Sequence, residues 1–83
     1  MRLDKWLWCA RFYKTRAMAA EYCDQGRIRV NGAVTTKAHY AVKPGDLLTL
    51  PQGSRVRIVE VLAFAERRGP APEAERLYAE HQA

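Results

Sequence analysis

The first twenty residues, MRLDKWLWCARFYKTRAMAA, place two tryptophans, a phenylalanine and a tyrosine among five Lys or Arg. Lys offers a phosphate a mobile point charge, and Arg offers a planar fork that forms two hydrogen bonds at once. Aromatic rings beside such cations can stack on exposed bases or sugars. The stretch therefore predicts either a surface that binds a polyanion or a core helix whose basic side is simply solvated.

The positive charge lies mainly in the first half of the 83-residue chain. Residues 1–45 hold nine Lys or Arg and three acids, a net charge of +6, whereas residues 46–83 hold five Arg and six acids, a net charge of −1. A field concentrated on one part of a molecule attracts polyanions, because their binding releases counterions. This distribution favours a polyanionic partner over a basic surface that has no partner.

The composition argues against several other classes of protein. The chain is 48% hydrophobic and 28% charged, as expected of one small globular domain. It has no apolar run near the roughly 20 residues that span a bilayer and no apolar stretch behind its charged N-terminus, so we expect a cytoplasmic protein with no membrane partner. Two cysteines without CxxC spacing and only two histidines make a zinc site hard to assemble. We expect reduced thiols, no cofactor and no metal.

A first helix is predicted over residues 2–13. Its apolar side chains recur at i, i+3, i+4 and i+7, which defines one buried face. That face consists of Leu3, Trp6, Leu7 and Ala10. Trp8 and Phe12 fall on the other side with Arg2 and Lys5. Either a later segment covers these two rings, or they remain exposed and stack on a nucleic acid.

A second helix is predicted over about residues 15–25. Thr15 can cap it, because its hydroxyl can accept a hydrogen bond from an amide of the first turn. Gly26 lies where a helix would end in the left-handed conformation that glycine adopts without steric cost. The link between the two helices is very short, so they must form a close pair.

Short strands are predicted after the second helix. In RIRVNGAV the apolar residues alternate with Arg27 and Arg29, and Asn31-Gly32 is typical of a tight hairpin turn. The two arginines either extend a polyanion-binding surface or lie on a solvated strand face.

The second half of the chain predicts further strands and a helix. Pro44-Gly45-Asp46 predicts a turn before a strand over residues 47–50, and residues 51–54 predict another turn. RVRIVEVLAF predicts a strand with a bulge near Val59. A helix is predicted after a Gly/Pro linker, from about residue 72, with Ala74, Leu77 and Tyr78 on its inner side.

The spaced motifs together resemble the RNA-binding domain of ribosomal protein S4 type, the alpha-L motif. RLDKWL matches its opening helix, TR the start of its second helix, IRVNG its first strand and turn, and VKPGD a later turn. Tyr22 and Cys23 stand where the family usually has Leu and Ile. This match covers roughly residues 1–50. RLDKWLW, ARFYKTR and the tail RRGPAPEAERLY are similar to a ribosome-associated heat-shock branch of the family over nearly the whole chain.

The resemblance implies an α+β alpha-L RNA-binding fold, with two N-terminal helices packed on a small, mostly antiparallel sheet and a short C-terminal helix. We expect residues 1–66 to form the RNA-binding domain with its sheet, and residues 67–83 to form a linker and the C-terminal helix. The implied partners are ribosomal RNA and the large ribosomal subunit, with peptidyl-tRNA as a further one. The implied role is recycling or rescue of free large subunits that carry a nascent chain on tRNA. We expect a monomer.

The predicted RNA-binding residues lie on the first helix, at the start of the second helix and in the loop after the hairpin. They are Arg2, Lys5, Arg11, Phe12, Tyr13, Lys14, Thr15, Arg16 and Lys37. The N-terminus of the second helix adds unpaired amides and a positive dipole end that suit a phosphate. Phe12 or Tyr13 would stack on an exposed base, and Thr15 either caps its helix alone or also touches RNA. Asp4 is expected to pair with a neighbouring cation rather than to act as a catalytic acid.

Three other functions compete with this interpretation. An enzyme is not favoured, because the sequence has no Ser/His/Asp set, paired-carboxylate motif, Walker loop or glycine-rich nucleotide turn, and His39 has no acid nearby. A detached RNA-binding domain of a pseudouridine synthase or a tyrosyl-tRNA synthetase would bind RNA and catalyse nothing. A generic RNA-binding module, or a protein-interaction module anchored by Trp8 and Phe12, is the third.

Overall fold

The computed structural model describes residues 1–81, which form three short helices and a five-stranded sheet. The helices are α1 (Leu3–Cys9), α2 (Arg16–Asp24) and α3 (Ala71–Ala74), and a 3-10 turn over Glu75–Leu77 follows α3. The strands are β1 (Ile28–Val30), β2 (Ala33–Thr35), β3 (Leu47–Gln52), β4 (Arg55–Val61) and β5 (Tyr78–His81). They pair antiparallel in the order β2-β1-β3-β4-β5. The predicted α+β class, with two N-terminal helices beside an antiparallel sheet, is confirmed.

α1 buries the face that its periodicity predicts, since Leu3, Trp6 and Leu7 are fully buried in the core. The helix is nevertheless shorter than predicted. Arg11 takes a left-handed backbone conformation, with φ of 66°, which ends the helical path. The chain turns there and carries Phe12 into the core, so the alternative in which this ring is covered is confirmed.

α2 begins and ends within about one residue of its prediction. The Thr15 hydroxyl accepts a hydrogen bond from the Met18 amide at 3.0 Å, which confirms the cap. At the other end Gly26, with φ of 70°, donates its amide to the carbonyl three residues back, and the next amide reaches the carbonyl five residues back. This is the Schellman arrangement, which satisfies the last carbonyls of a helix. Local chemistry therefore fixes both ends of α2.

β1 and β2 form the tight hairpin that Asn31-Gly32 predicts. Both turn residues have positive φ, 51° and 85°, as this two-residue turn requires. Ile28 and Val30 are buried, and Arg29 between them is exposed. The alternation therefore gives β1 one apolar face and one cationic face.

Asp46 connects the hairpin to the predicted turn before β3. Its carboxylate accepts hydrogen bonds from Asn31 Nδ2 at 3.1 Å, the Tyr40 hydroxyl at 3.2 Å and the Lys43 amide at 2.9 Å. Desolvation, assisted by this carboxylate, raises the pKa of Tyr40 above its ordinary value. The aspartate that precedes β3 is thus a structural acceptor for two turns.

β3 and β4 pair without interruption from Leu47 opposite Glu60 to Gln52 opposite Arg55. The predicted bulge near Val59 is wrong, because an extra residue in either strand would shift this constant register. The predicted turn over residues 51–54 is too long, since β3 continues through Gln52 and only two residues turn. Pro51 lies beyond the part of β3 that pairs with β1, where a proline is tolerated in a sheet.

The C-terminal segment begins as a helix and ends as a strand. α3 makes about one turn, and after Leu77 the chain extends into β5, which pairs with β4 from Tyr78 opposite Val61 to His81 opposite Ile58. The predicted helix is therefore wrong beyond Leu77, and Tyr78 belongs to a strand. The predicted boundary at residue 66 falls between two strands of one sheet, and residues 82 and 83 of the predicted helix lie outside the described residues.

The two cysteines, Cys9 and Cys23, are free and packed in the core. Burial, aided by the charges of Asp4 and Asp24, raises the pKa of Cys23 to about 11. Across residues 1–81, none of the helices combines the length and the apolar character that a membrane crossing demands.

Candidate nucleic-acid interface

The loop that contains Lys37 is hydrogen-bonded to the start of α1. The Leu3 amide donates to the Tyr40 carbonyl at 2.8 Å, and the Asp4 amide donates to the Ala38 carbonyl at 3.1 Å. Amides in the first turn of a helix have no partner inside it, so the loop satisfies them. The structure thereby brings the exposed Lys37 to the N-terminal end of α1.

Asp4 holds together the first cations of both N-terminal helices. Its two oxygens accept hydrogen bonds from Arg2 Nε at 3.1 Å and Arg2 Nη2 at 3.2 Å, and Oδ1 lies 3.6 Å from Arg16 Nη2. The Asp4 side chain is 5% exposed, whereas those of Arg2 and Arg16 are 53% and 43% exposed. The predicted role of Asp4 as a local partner is confirmed. Two cations share one buried carboxylate, so the outer edges of both guanidiniums remain open to a phosphate.

The start of α2 adds two of the predicted residues to this edge. Thr15 caps the helix, and its contact with RNA stays a prediction. Lys14 is exposed beside it and makes no hydrogen bond or ion pair within residues 1–81 through its ammonium group. The contact between Arg16 and Asp4 ties this end of α2 to α1.

The linker after β4 lies against α1 near Cys9. The Cys9 Sγ lies 3.7 Å from the Ala65 carbonyl oxygen, which belongs to the linker. Burial raises the pKa of the Cys9 thiol, and the positive charges of Lys5, Arg16 and Arg68 act against that rise. The linker therefore places a further cation, Arg68, on the side of α1 that carries Cys9.

Arg68 is a cation that the sequence analysis does not include among the predicted RNA-binding residues. Its Nε donates to the Trp8 carbonyl at 3.0 Å and its Nη2 to the Tyr13 carbonyl at 3.4 Å. Its guanidinium carbon lies 5.9 Å from the centre of the half-buried Trp8 ring. Arg68 thus braces the turn between α1 and α2. The sequence shows Arg67 and Arg68 as an adjacent basic pair. No local pattern, however, indicates that the linker containing them folds back onto α1.

Arg11 makes its contact with the linker rather than with the cations that Asp4 collects. Its Nη1 donates to the Gly69 carbonyl at 3.0 Å. It also lines a cleft of about 230 Å³ with Arg57, Glu75 and Tyr78. The Arg11 guanidinium therefore lies against the linker and this cleft and makes no contact with Asp4.

Phe12 and Tyr13 are buried, so neither ring is available to stack on a base. Phe12 is 4% exposed, and its ring centre lies 4.7 Å from that of Tyr78. Tyr13 is 3% exposed, and its hydroxyl donates to the Pro51 carbonyl at 2.7 Å. The predicted stacking by these two residues is wrong, because the turn at Arg11 directs both rings into the core.

Cations of α1, the start of α2, the Lys37 loop and the linker define a candidate interface, which we call the basic patch. It consists of Arg2, Lys5, Lys14, Arg16, Lys37 and Arg68. These side chains are exposed or half-buried, and Asp4 is the carboxylate that pairs with two of them. Such a set can bind several phosphates at once.

Residues 1–48 match the S4 domain family, and the chain belongs to this family. It is 50% identical over 80 residues to heat shock protein 15 of Escherichia coli (strain K12), which covers 96% of this chain and 59% of the relative. It is 49% identical over 61 residues to the RQC P-site tRNA stabilizing factor of Bacillus subtilis (strain 168), which covers 74% of this chain and 70% of the relative. The chain thus spans about three-fifths of the length of the Escherichia coli relative.

The fold is similar to a solved structure of heat shock protein 15 from Vibrio cholerae. The TM-score is 0.93 and the identity 41%, over 98% of this chain and 81% of that chain. Both predicted resemblances, to the S4-type domain and to its heat-shock branch, are confirmed. The Vibrio cholerae protein is described as trimeric, so the expectation of a monomer is not supported.

Proposed function

We propose that this chain is an RNA-binding protein that binds ribosomal RNA of the large ribosomal subunit through the basic patch. The main support is that five of the six patch residues lie within the S4 domain match at residues 1–48. There Asp4 links α1 to Arg16 of α2, and the loop of Lys37 is hydrogen-bonded to the start of α1. Lys14 and Thr15 join Arg16 at the start of α2, where free amides and the helix dipole favour a phosphate.

Specificity would come from the shape of the RNA. The patch is rich in phosphate-binding groups, and these fix register without reading base edges. The deep, narrow major groove of A-form RNA admits no side chain, so proteins contact its phosphates and 2′-hydroxyls instead. Trp8 is the half-buried aromatic ring beside the patch, and Arg68 lies over it.

The proposed role is recycling or rescue of free large subunits that carry a nascent chain on tRNA, with peptidyl-tRNA as a second partner. The names of the relatives support it, since one is a heat shock protein and another a P-site tRNA stabilizing factor. Such a role is cytoplasmic and needs no catalysis. The match to heat shock protein 15 covers the C-terminal segment as well as the S4 domain, which favours this role over a detached domain of an enzyme.

Sedimentation with purified ribosomal particles tests this function. We expect the protein to pellet with isolated large subunits and much less with intact ribosomes. In the variant K14Q/R16Q the affinity for large subunits should fall by at least about ten-fold. Each lost charge-assisted hydrogen bond removes about 1.5 kcal/mol or more of binding free energy. Gln is chosen over Glu because a carboxylate at position 16 would face Asp4.

The matched control is R55Q/R76Q, which removes the same charge from two exposed positions outside the basic patch. It should pellet like the unaltered protein, and circular dichroism should show both variants folded. Equal pelleting with large subunits and intact ribosomes would contradict the rescue role. Undiminished binding of K14Q/R16Q would contradict the site.

A further inference from the structure

A groove of about 580 Å³ crosses the sheet, and none of its lining residues belongs to the basic patch. Arg27 and Arg29 form its basic rim, and Thr49, Pro51 and Val56 contribute to its floor and wall. Side chains alternate between the two faces of a strand, and the residues next to Arg29 in β1 are buried. The groove therefore lies on the sheet face that points away from the core.

The rim has the chemistry to bind a phosphate. Within residues 1–81 neither Arg27 nor Arg29 has a carboxylate in ion-pair contact. The Arg27 guanidinium carbon lies 4.6 Å from the centre of the Tyr22 ring, and a guanidinium held over a ring keeps its N–H edge free. Arg27 precedes β1 and Arg29 lies within it, and both residues line the groove.

The side of the groove formed by Pro51 and Val56, which we call its floor, is apolar. Pro51 and Val56 are directly opposite each other across β3 and β4, and Val56 is 63% exposed. An apolar surface next to two unpaired guanidiniums suits a ligand with one flat apolar part and one anionic part. A nucleotide has both, since its base can cover the floor while its phosphate meets the rim.

We propose that this groove binds an unpaired nucleotide of an RNA strand, with the phosphate on Arg27 and Arg29 and the base on Pro51 and Val56. The inference rests on the proposed function, because it gives the same RNA a second contact. α2 connects the two sites, since Arg16 begins it and Arg27 follows its end. The nine residues of α2 rise about 13 Å along the helix axis. The RNA strand must therefore extend roughly that far beyond the phosphates bound at Arg16.

Two other occupants fit the groove less well. A second copy in an isologous contact would set Arg27 and Arg29 against the same arginines, and like charges repel. An acidic peptide would satisfy the guanidiniums but would leave the apolar floor uncovered. Both are outcomes of the test.

Fluorescence anisotropy with two RNAs tests the proposal. One is an RNA hairpin whose stem is about one A-form turn long, and the other carries in addition a single-stranded uridine extension of roughly five nucleotides, which at about 3.4 Å each can follow α2. We expect the extension to raise the affinity about ten-fold through its charge-assisted contacts. In the variant R27Q/R29Q this gain in affinity should vanish. The hairpin without the extension should bind R27Q/R29Q as tightly as it binds the control R55Q/R76Q. V56E, which places a carboxylate in the floor, should act like R27Q/R29Q.

The outcomes separate this proposal from the proposed function. K14Q/R16Q should weaken both RNAs, and failure of the unaltered protein to bind either would overturn the proposed function. Equal affinity for the two RNAs, or equal weakening of both by R27Q/R29Q, would overturn the groove proposal alone. So would tight binding of a hexaglutamate peptide that R27Q/R29Q abolishes and K14Q/R16Q leaves unchanged, since that result would assign the groove to acidic peptides. A loss of oligomers in R27Q/R29Q, measured by light scattering, would assign it to a second copy.

Discussion

Tyr13 shows how a residue that looks suited to a ligand can instead hold the core together. Its ring centre lies 4.8 Å from that of Tyr22, and its hydroxyl donates to the Pro51 carbonyl, so it joins the turn before α2 to the last turn of α2 and to the sheet. Burial is the main cause that raises the pKa of Tyr13 above its ordinary value, and Tyr22 and Cys23 act in the same direction. The neutral hydroxyl is therefore part of the folded structure.

Stability is expected to fall at alkaline pH through Tyr13. Because its folded-state pKa is raised, the unfolded chain loses this proton first as the pH increases. The contribution is fully present below about pH 10, the ordinary tyrosine pKa, and is lost as the pH rises toward the folded-state value. Y13F should cost about 1 kcal/mol at neutral pH through one lost hydrogen bond, and it should then lose less stability than the unaltered protein at about pH 11. Urea unfolding at both pH values measures this, and parallel declines would contradict it.

The sequence shows which types of residue could form the site, but it does not show where their side chains lie in the fold. Cations on the N-terminal helices are evident from the sequence, and most of them meet at Asp4 or at the start of α2. The burial of Phe12 and Tyr13 follows from the left-handed turn at Arg11. An arginine residue does not by itself require a left-handed backbone conformation. In the fold, Arg11 adopts this conformation and donates a hydrogen bond to the Gly69 carbonyl, 58 residues away. No local pattern contains that contact.

The ends of helices and strands could be predicted from the sequence where nearby residues determine them. The cap at Thr15 and the glycine at position 26 mark α2 correctly. APEAERLYAEH is rich in helix-forming residues, yet its last four form β5. β4 offers an open edge there, and Arg57 of β4 binds the Glu80 carboxylate, so a partner distant in sequence overrides helix propensity.

The C-terminal end of α2 should be sensitive to the residue at position 26. With φ of 70°, Gly26→Ala should lower the free energy of unfolding by about 1–2 kcal/mol through backbone strain. A Cβ there would meet Val34 Cγ1 at 3.5 Å, an ordinary contact, so steric overlap adds little. Gly26→Asn should cost less, because asparagine tolerates this conformation better. Urea unfolding measures both, and equal losses for Ala and Asn would show that conformation is not the cause.

At the scale of the whole molecule, screening by salt limits how far each charge acts. The molecule measures 27 × 27 × 25 Å, more than twice the screening length of about 10 Å at 0.1 M salt. Two acids of the C-terminal half are also paired, Glu80 with Arg57 and Glu60 with His81. A bound RNA would therefore respond to the local patch more than to the net charge of +5.

RNA affinity should consequently depend steeply on salt, and the slope should report the patch alone. With about six phosphate contacts, affinity for a duplex falls about 10³-fold between roughly 50 and 200 mM salt. K14Q/R16Q should reduce the slope of log K against log salt by about 2, since counterions are released only by cations that touch phosphates. R55Q/R76Q removes the same charge elsewhere and should keep the full slope. Anisotropy titrations measure all three slopes. A flat dependence would indicate a protein-interaction module, and equal reductions in the two variants would show that net charge, not the patch arranged around Asp4, attracts the RNA.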